Sequence, residues 1–169
     1  MALARVDGFN RCAAVLVYGS YLAVLPFRRS TGRDMSGQRH QAVSSFMIDL
    51  QSLPVKIASV LDFQFLEGYN DPTILLLYEA LPTWTGRVTE RQDTCGMVAL
   101  SINLIDETHP VIWQMSGLPY DSSALFPIPK PLGGSLLFAT NSLIYLDQLL
   151  ASAICLQKKK QDERQAFQS

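Results

Sequence analysis

The chain has 169 residues, with 14 Lys and Arg against 15 Asp and Glu, for a formal net charge of -1. So even a balance argues against the broad electrostatic footprint that holds a protein to nucleic acid or to an anionic membrane. Charged residues make up 17% and hydrophobic ones 48% of the sequence, where about 25% charged is usual, so much apolar surface must find a core or a partner.

The length fits one ordinary domain or part of a larger one. Cys12, Cys95 and Cys155 are odd in number and far apart, which is unlike a disulfide framework and fits a reducing compartment. The apolar run 12–26 is broken by Gly19-Ser20 and followed by Arg28-Arg29, unlike the clean core of a signal peptide. Every apolar run falls short of the roughly 18 residues a membrane helix needs. A soluble intracellular protein is expected.

In chain order, residues 15–18 and 21–25 read as a hairpin with its turn at Gly19-Ser20, because glycine supplies the positive φ of a tight turn. The polar stretch 28–41 reads as a loop. Residues 45–50 form a short edge strand, and 60–66 alternate polar and apolar with strand periodicity. After the turn cluster 68–72, residues 73–78 form a buried strand. A loop over 81–93 leads to strands at 95–104 and 111–115. Pro127 places 124–128 at a strand end or bulge. Residues 135–139 and 143–146, preceded by Pro131 and Gly133-Gly134, form a further apolar hairpin.

These elements repeat. Hairpin-opening strands begin near Val15, Ile74 and Leu136, and 15–25 aligns without a gap on 136–146. Short strands in units of four, with loops of uneven length, predict an all-β fold, a partial β-propeller of about two to three four-stranded blades. A β-sandwich is the rival architecture. Leu143, Leu146, Leu150, Ala153, Ile154 and Gln157 fall near helical spacing, so 147–165 is expected to be an amphipathic helix fraying into a polar tail. The domain expectation is a partial propeller over 1–148 and a divergent helical or disordered tail over 149–169.

No constellation of catalytic type stands out. His40 and His109 could be paired with Cys95 or Asp93, but no nucleophile motif or third group accompanies them. Cys and His residues lack metal-ligand spacing. Gly117 and Gly133-Gly134 lack the phosphate-loop pattern and read as turns. Arg28, Arg29 and Arg33 form a small basic cluster that can touch phosphate, although RNA binding needs several aligned cations. Trp113 reads as core. Trp84, between Pro82 and Gly86, either packs across a blade or anchors a partner.

The segments LDFQFLEGYNDPTILLLYE (61–79), TWTGRV (83–88), RQDTC (91–95), HPVIW (109–113) and PKPLGGSLLFATNSLIYL (129–146), with RCAAVLVYGSYLAVLPFRR (11–29) upstream, resemble the large-subunit family of the cleavage and polyadenylation specificity factor. The resemblance is collinear over 11–148. More distantly, the chain is similar to the large subunit of the damaged-DNA-binding complex and to the propeller subunit of a splicing factor. The resemblance implies part of the first propeller of a nuclear, noncatalytic scaffold without cofactors. It also implies WD-repeat and zinc-finger partner subunits that recognise the polyadenylation signal, with pre-mRNA reached through them or directly. A damaged-DNA or ubiquitin-ligase scaffold is the alternative, and a hydrolase using His109 and Cys95 a distant third.

Overall fold

A computed structural model describes residues 3–27, 44–82, 84, 86, 89–90, 93–140, 142–147 and the backbone of 151–155. The chain forms three four-stranded antiparallel sheets, each a simple meander. The first sheet holds β1 (Leu3–Val6), β2 (Cys12–Val17), β3 (Tyr21–Pro26) and β4 (Phe46–Asp49). The second holds β5 (Ser59–Leu66), β6 (Thr73–Glu79), β7 (Cys95–Ser101) and β8 (Val111–Leu118). The third holds β9 (Ser122–Pro127), β10 (Ser135–Ala139), β11 (Ser142–Leu146) and β12 (Ala151–Cys155). A single turn of 3-10 helix, Leu50–Ser52, follows β4, with Asp49 accepting from the Gln51 amide.

The sheets approach most closely along their first strands, β1 beside β5 and β5 beside β9. Face-to-face packing with the first strands innermost is the arrangement of propeller blades. Alternation of side chains across each strand divides the core in two. Leu16, Leu22 and Val24 of the first sheet meet Phe63, Leu76 and Leu100 of the second. Leu75, Leu77 and Met97, on the other face of the second sheet, meet Leu125, Leu137 and Ile144 of the third. The second sheet is therefore covered on both sides, which explains the unbroken apolar runs at 74–78 and 97–100.

Three expectations need correction. The helix expected over 147–165 gives way at 151–155 to strand β12, which pairs antiparallel with β11 from Ser142↔Cys155 to Leu146↔Ala151. Leu143 and Leu146, which suggested the helical period, already belong to strand β11. Residues 148–150 and 156–169 lie outside the described residues.

Second, the turn of the first hairpin is centred one residue earlier than expected. Tyr18 and Gly19 both take positive φ, 51° and 72°, and the Ser20 amide donates to the Val17 carbonyl at 3.3 Å.

Third, the gapless match of 15–25 on 136–146 is in register for β3 on β11 but one residue out for β2 on β10. It pairs Leu16, which faces the following sheet, with Leu137, which faces the preceding one. β2 and β3 are joined through residues 18–20, β10 and β11 through 140–141. A one-residue gap in the turn puts Val15 opposite Leu137 and restores the faces, as a period of two requires.

Candidate functional site

Three of the four residues singled out from the sequence, Arg28, Arg29 and Arg33, lie outside the described residues. Trp84 sits in the connection between β6 and β7, with 58% of its surface exposed. A Cβ added at Gly86 would sit 3.6 Å from the Trp84 ring.

The His109–Cys95 pair is not assembled. Cys95 opens β7 and His109 lies in the loop that follows that strand. The seven residues of β7 separate the two positions by about 20 Å at the usual rise per residue. Burial, reinforced by Glu79, pushes the Cys95 thiol up to about 11. Burial pushes Cys12 up to about 12, with Asp7 adding to the shift and Arg11 opposing it. Both thiols stay protonated at neutral pH, the unreactive form. Among the described residues no group of three or more His, Cys, Asp or Glu side chains could hold a metal ion, and no helix is long and apolar enough to cross a membrane.

The polar geometry that does converge ties sheet to sheet. Asp62, in β5, is buried beside a register shift between Val60 and Asp62 in the pairing with β6. Its Oδ1 accepts from the Phe63 amide at 2.8 Å and from Arg5 Nη2 of β1 at 3.0 Å. Its Oδ2 accepts from the Leu125 amide of β9 at 2.9 Å. One carboxylate thus touches the innermost strands of all three sheets. The Arg5 guanidinium also lies 5.9 Å from the Phe63 ring centre, a cation–π distance.

A second tie closes one end of the first sheet. The β1–β2 turn wraps the Asp7 carboxylate, which accepts from the Phe9 and Arg11 amides at 3.2 Å and from Arg11 Nε at 2.7 Å. Arg11 Nη1 donates onward to the Asn70 carbonyl in the β5–β6 turn. Burial pushes the Asp7 carboxyl up, but the hydrogen bonds and charge of Arg11 outweigh it and hold the group below its ordinary 3.8. The bond to Asp7 in turn raises Arg11. These inter-sheet carboxylates escaped the sequence reading. Asp62 occupies a polar position of the alternating strand 60–66, so its burial left no signal of its own in the sequence.

The chain matches the family model of the RSE1/DDB1/CPSF1 first beta-propeller over residues 2–168. It is 43% identical over 159 residues to cleavage and polyadenylation specificity factor subunit 1 of Drosophila melanogaster, covering 85% of this chain and 11% of that protein. Against the probable subunit 1 of Caenorhabditis elegans it is 43% identical over 146 residues, covering 86% and 9%. Against subunit 1 of Arabidopsis thaliana it is 37% identical over 166 residues, covering 91% and 11%. The chain thus spans about a tenth of the length of the curated relatives it matches. Three radially packed four-stranded sheets and a match along nearly the whole chain lead to one conclusion: it belongs to the RSE1/DDB1/CPSF1 first beta-propeller family.

Proposed function

We propose that this chain is a noncatalytic scaffold segment of the nuclear complex that cleaves and polyadenylates pre-mRNA. The observation that carries the reading is the identity of 37–43% to subunit 1 of the cleavage and polyadenylation specificity factor in fly and plant. The fold supports the scaffold part of it: the Asp62 and Asp7 carboxylates and their arginines join sheet to sheet. In this reading the blades present loops to WD-repeat and zinc-finger subunits, which recognise the polyadenylation signal. The domain division proposed with it is propeller sequence that runs past the expected boundary at 148, because β12 at 151–155 supplies the fourth strand of the third sheet.

The exposed Trp84 is proposed as a partner anchor, since Trp is enriched at binding hot spots. Arg28, Arg29 and Arg33, in the connection between β3 and β4, are proposed as phosphate contacts for RNA reached alongside those partners. The relatives' names favour polyadenylation over a damaged-DNA or ubiquitin-ligase role.

A pull-down of the WD-repeat subunit by this chain, with the full-length protein of the same organism as control, tests the reading. Capture by both supports it, and capture by neither overturns it. Trp84→Ala is expected to weaken capture about tenfold while leaving the thermal midpoint unchanged.

A further inference from the structure

The pairing of β5 with β6 carries an irregularity that aims one side chain. Val60 pairs with Tyr78, and Asp62 with the adjacent Leu77, so Leu61 is an extra residue in β5. Such an insertion is a β-bulge, and it exchanges the faces met by the side chains beyond it. Val60, before the bulge, packs on the core between the first and second sheets, and Phe63 and Phe65, after it, lie in that same core. Unbroken alternation would put Asp62 on the side of Val60 and Phe63 on the other. With the bulge, Asp62 falls in phase with Leu66, which lies in the core shared with the third sheet.

That phase brings Asp62 Oδ2 to the Leu125 amide of β9 at 2.9 Å. β9 is the edge strand of the third sheet, so an amide pointing away from β10 needs an acceptor from outside its own ladder. Asp62 supplies one.

The other oxygen of the same carboxylate belongs to the first sheet. Oδ1 takes Arg5 Nη2 of β1 at 3.0 Å beside the Phe63 amide. Arg5 is itself held, its Nη1 donating to the Ala4 carbonyl at 3.1 Å and its guanidinium set against the Phe63 ring. Of the three donors on Asp62, only Arg5 carries a charge. The Asp62 side chain is 7% exposed and that of Arg5 32%. A carboxylate buried to that degree needs its charge compensated. Without the guanidinium it gains by turning toward water, and turning gives up the Leu125 amide.

We propose that Arg5 is a positioning residue for the contact between the second and third sheets, holding the Asp62 carboxylate where the Leu125 amide reaches it. The first sheet thereby sets how firmly the third is gripped, although β5 lies between β1 and β9. The bulge at Leu61 is what lets one carboxylate serve both neighbours. The coupling belongs to the fold and is independent of the partners of the scaffold.

Amide hydrogen exchange of the 169-residue chain, followed by NMR, tests the coupling. The quantity read is protection at Leu125 relative to protection at Ile144, whose strand β11 is paired on both sides. Arg5→Met keeps an apolar stem beside Phe63 and removes the charge and the donors. It should lower the ratio about tenfold, as expected within one hydrogen-bonded network. Asp62→Ala should lower it at least as far, and Arg5→Met added to Asp62→Ala should lower it no more. Val24→Ala weakens the first sheet at a buried position of β3 and should leave the ratio unchanged. An unchanged ratio in Arg5→Met overturns the proposal, because Asp62 then holds Leu125 unaided. An equal fall in Val24→Ala overturns it too, since any loss in the first sheet would then do the same. So does a further fall when Arg5→Met is added to Asp62→Ala. Should Arg5→Met lose its β-type circular dichroism, Arg5→Gln reads the same ratio.

Discussion

The second sheet and its two neighbours share one meander, yet their central strands sit in different surroundings. In the second sheet Ile74, Leu75, Leu76 and Leu77 are all fully buried, because a neighbouring sheet covers each face. In the first sheet β2 alternates between buried and half-buried residues from Cys12 to Val17, and in the third β10 does the same over its first three residues. The residues on the less buried side are still Val and Leu rather than Lys or Glu. Alternation in burial without alternation in polarity shows that a strand's composition records which faces are built for cover, whereas exposure records which faces are covered here. The second sheet is the finished form of the other two.

Removing what joins the second sheet to both neighbours should have the largest effect. Asp62→Ala leaves the partly exposed Arg5 and the buried Phe63 and Leu125 amides without their acceptor, and each stranded amide costs about 1–3 kcal/mol. Urea unfolding should show that loss in its midpoint. A loss below about 1 kcal/mol would mean that apolar packing alone sets the spacing of the sheets. Next comes the contrast between cores. Leu76→Ala opens a cavity where both sides are packed and should cost about 3 kcal/mol. Leu25→Ala, on the open face of the first sheet, should change stability by less than about 0.5 kcal/mol. Equal costs at the two positions would break the distinction between covered and open faces.

Much of this was legible in the sequence, for a physical reason. Strands with apolar side chains on both faces give short unbroken apolar runs, so ILLLY at 74–78 and LLF at 136–138 stood out, and their recurrence exposed the repeat. The inner edge of the first sheet and the outer edge of the third were not legible. β1 is four residues long with alternate residues exposed, too short to establish a period. β12 is the run ASAIC, whose small residues suit helix as well as strand, and its pairing with β11 decided the matter. The inter-sheet carboxylates were hidden for another reason. Asp62 reads as an ordinary polar position in an alternating strand until the partners Arg5 and Leu125, distant in sequence, are brought beside it.

Turn chemistry sharpens the comparison between first and third sheets at smaller magnitude. Gly19 and Gly134 both take positive φ, 72° and 78°. A side chain at Gly19 would meet nothing within 4 Å, whereas a Cβ at Gly134 would lie 2.7 Å from the Leu146 carbonyl oxygen. Gly19→Ala should therefore cost about 1 kcal/mol, for the left-handed backbone alone. Gly134→Ala should cost roughly 2–3 kcal/mol once the overpacking of β11 is added. Thermal midpoints that fall by the same amount would show that β11 yields to the intruding methyl.

A pH-dependent effect concerns the tie between the first sheet and the β5–β6 turn. Asp7 has a carboxyl held below its ordinary 3.8 by Arg11 and nearby amides, against the upward push of burial. The unfolded chain therefore takes up this proton at a higher pH than the folded one does. The stability that the carboxylate contributes is complete above the unfolded value, near pH 4, and is lost as pH falls through the lower folded value. Asp7→Asn should cost about 1 kcal/mol at pH 7, the net worth of a typical hydrogen bond. The gap between variant and parent should narrow as pH drops below about 4, because protonation does to the parent what the substitution did to the variant. Urea midpoints of both proteins, taken stepwise from pH 7 to pH 3, read that gap directly. A gap that stays constant in acid would mean that Arg11 holds the Asn70 carbonyl without help from the Asp7 charge.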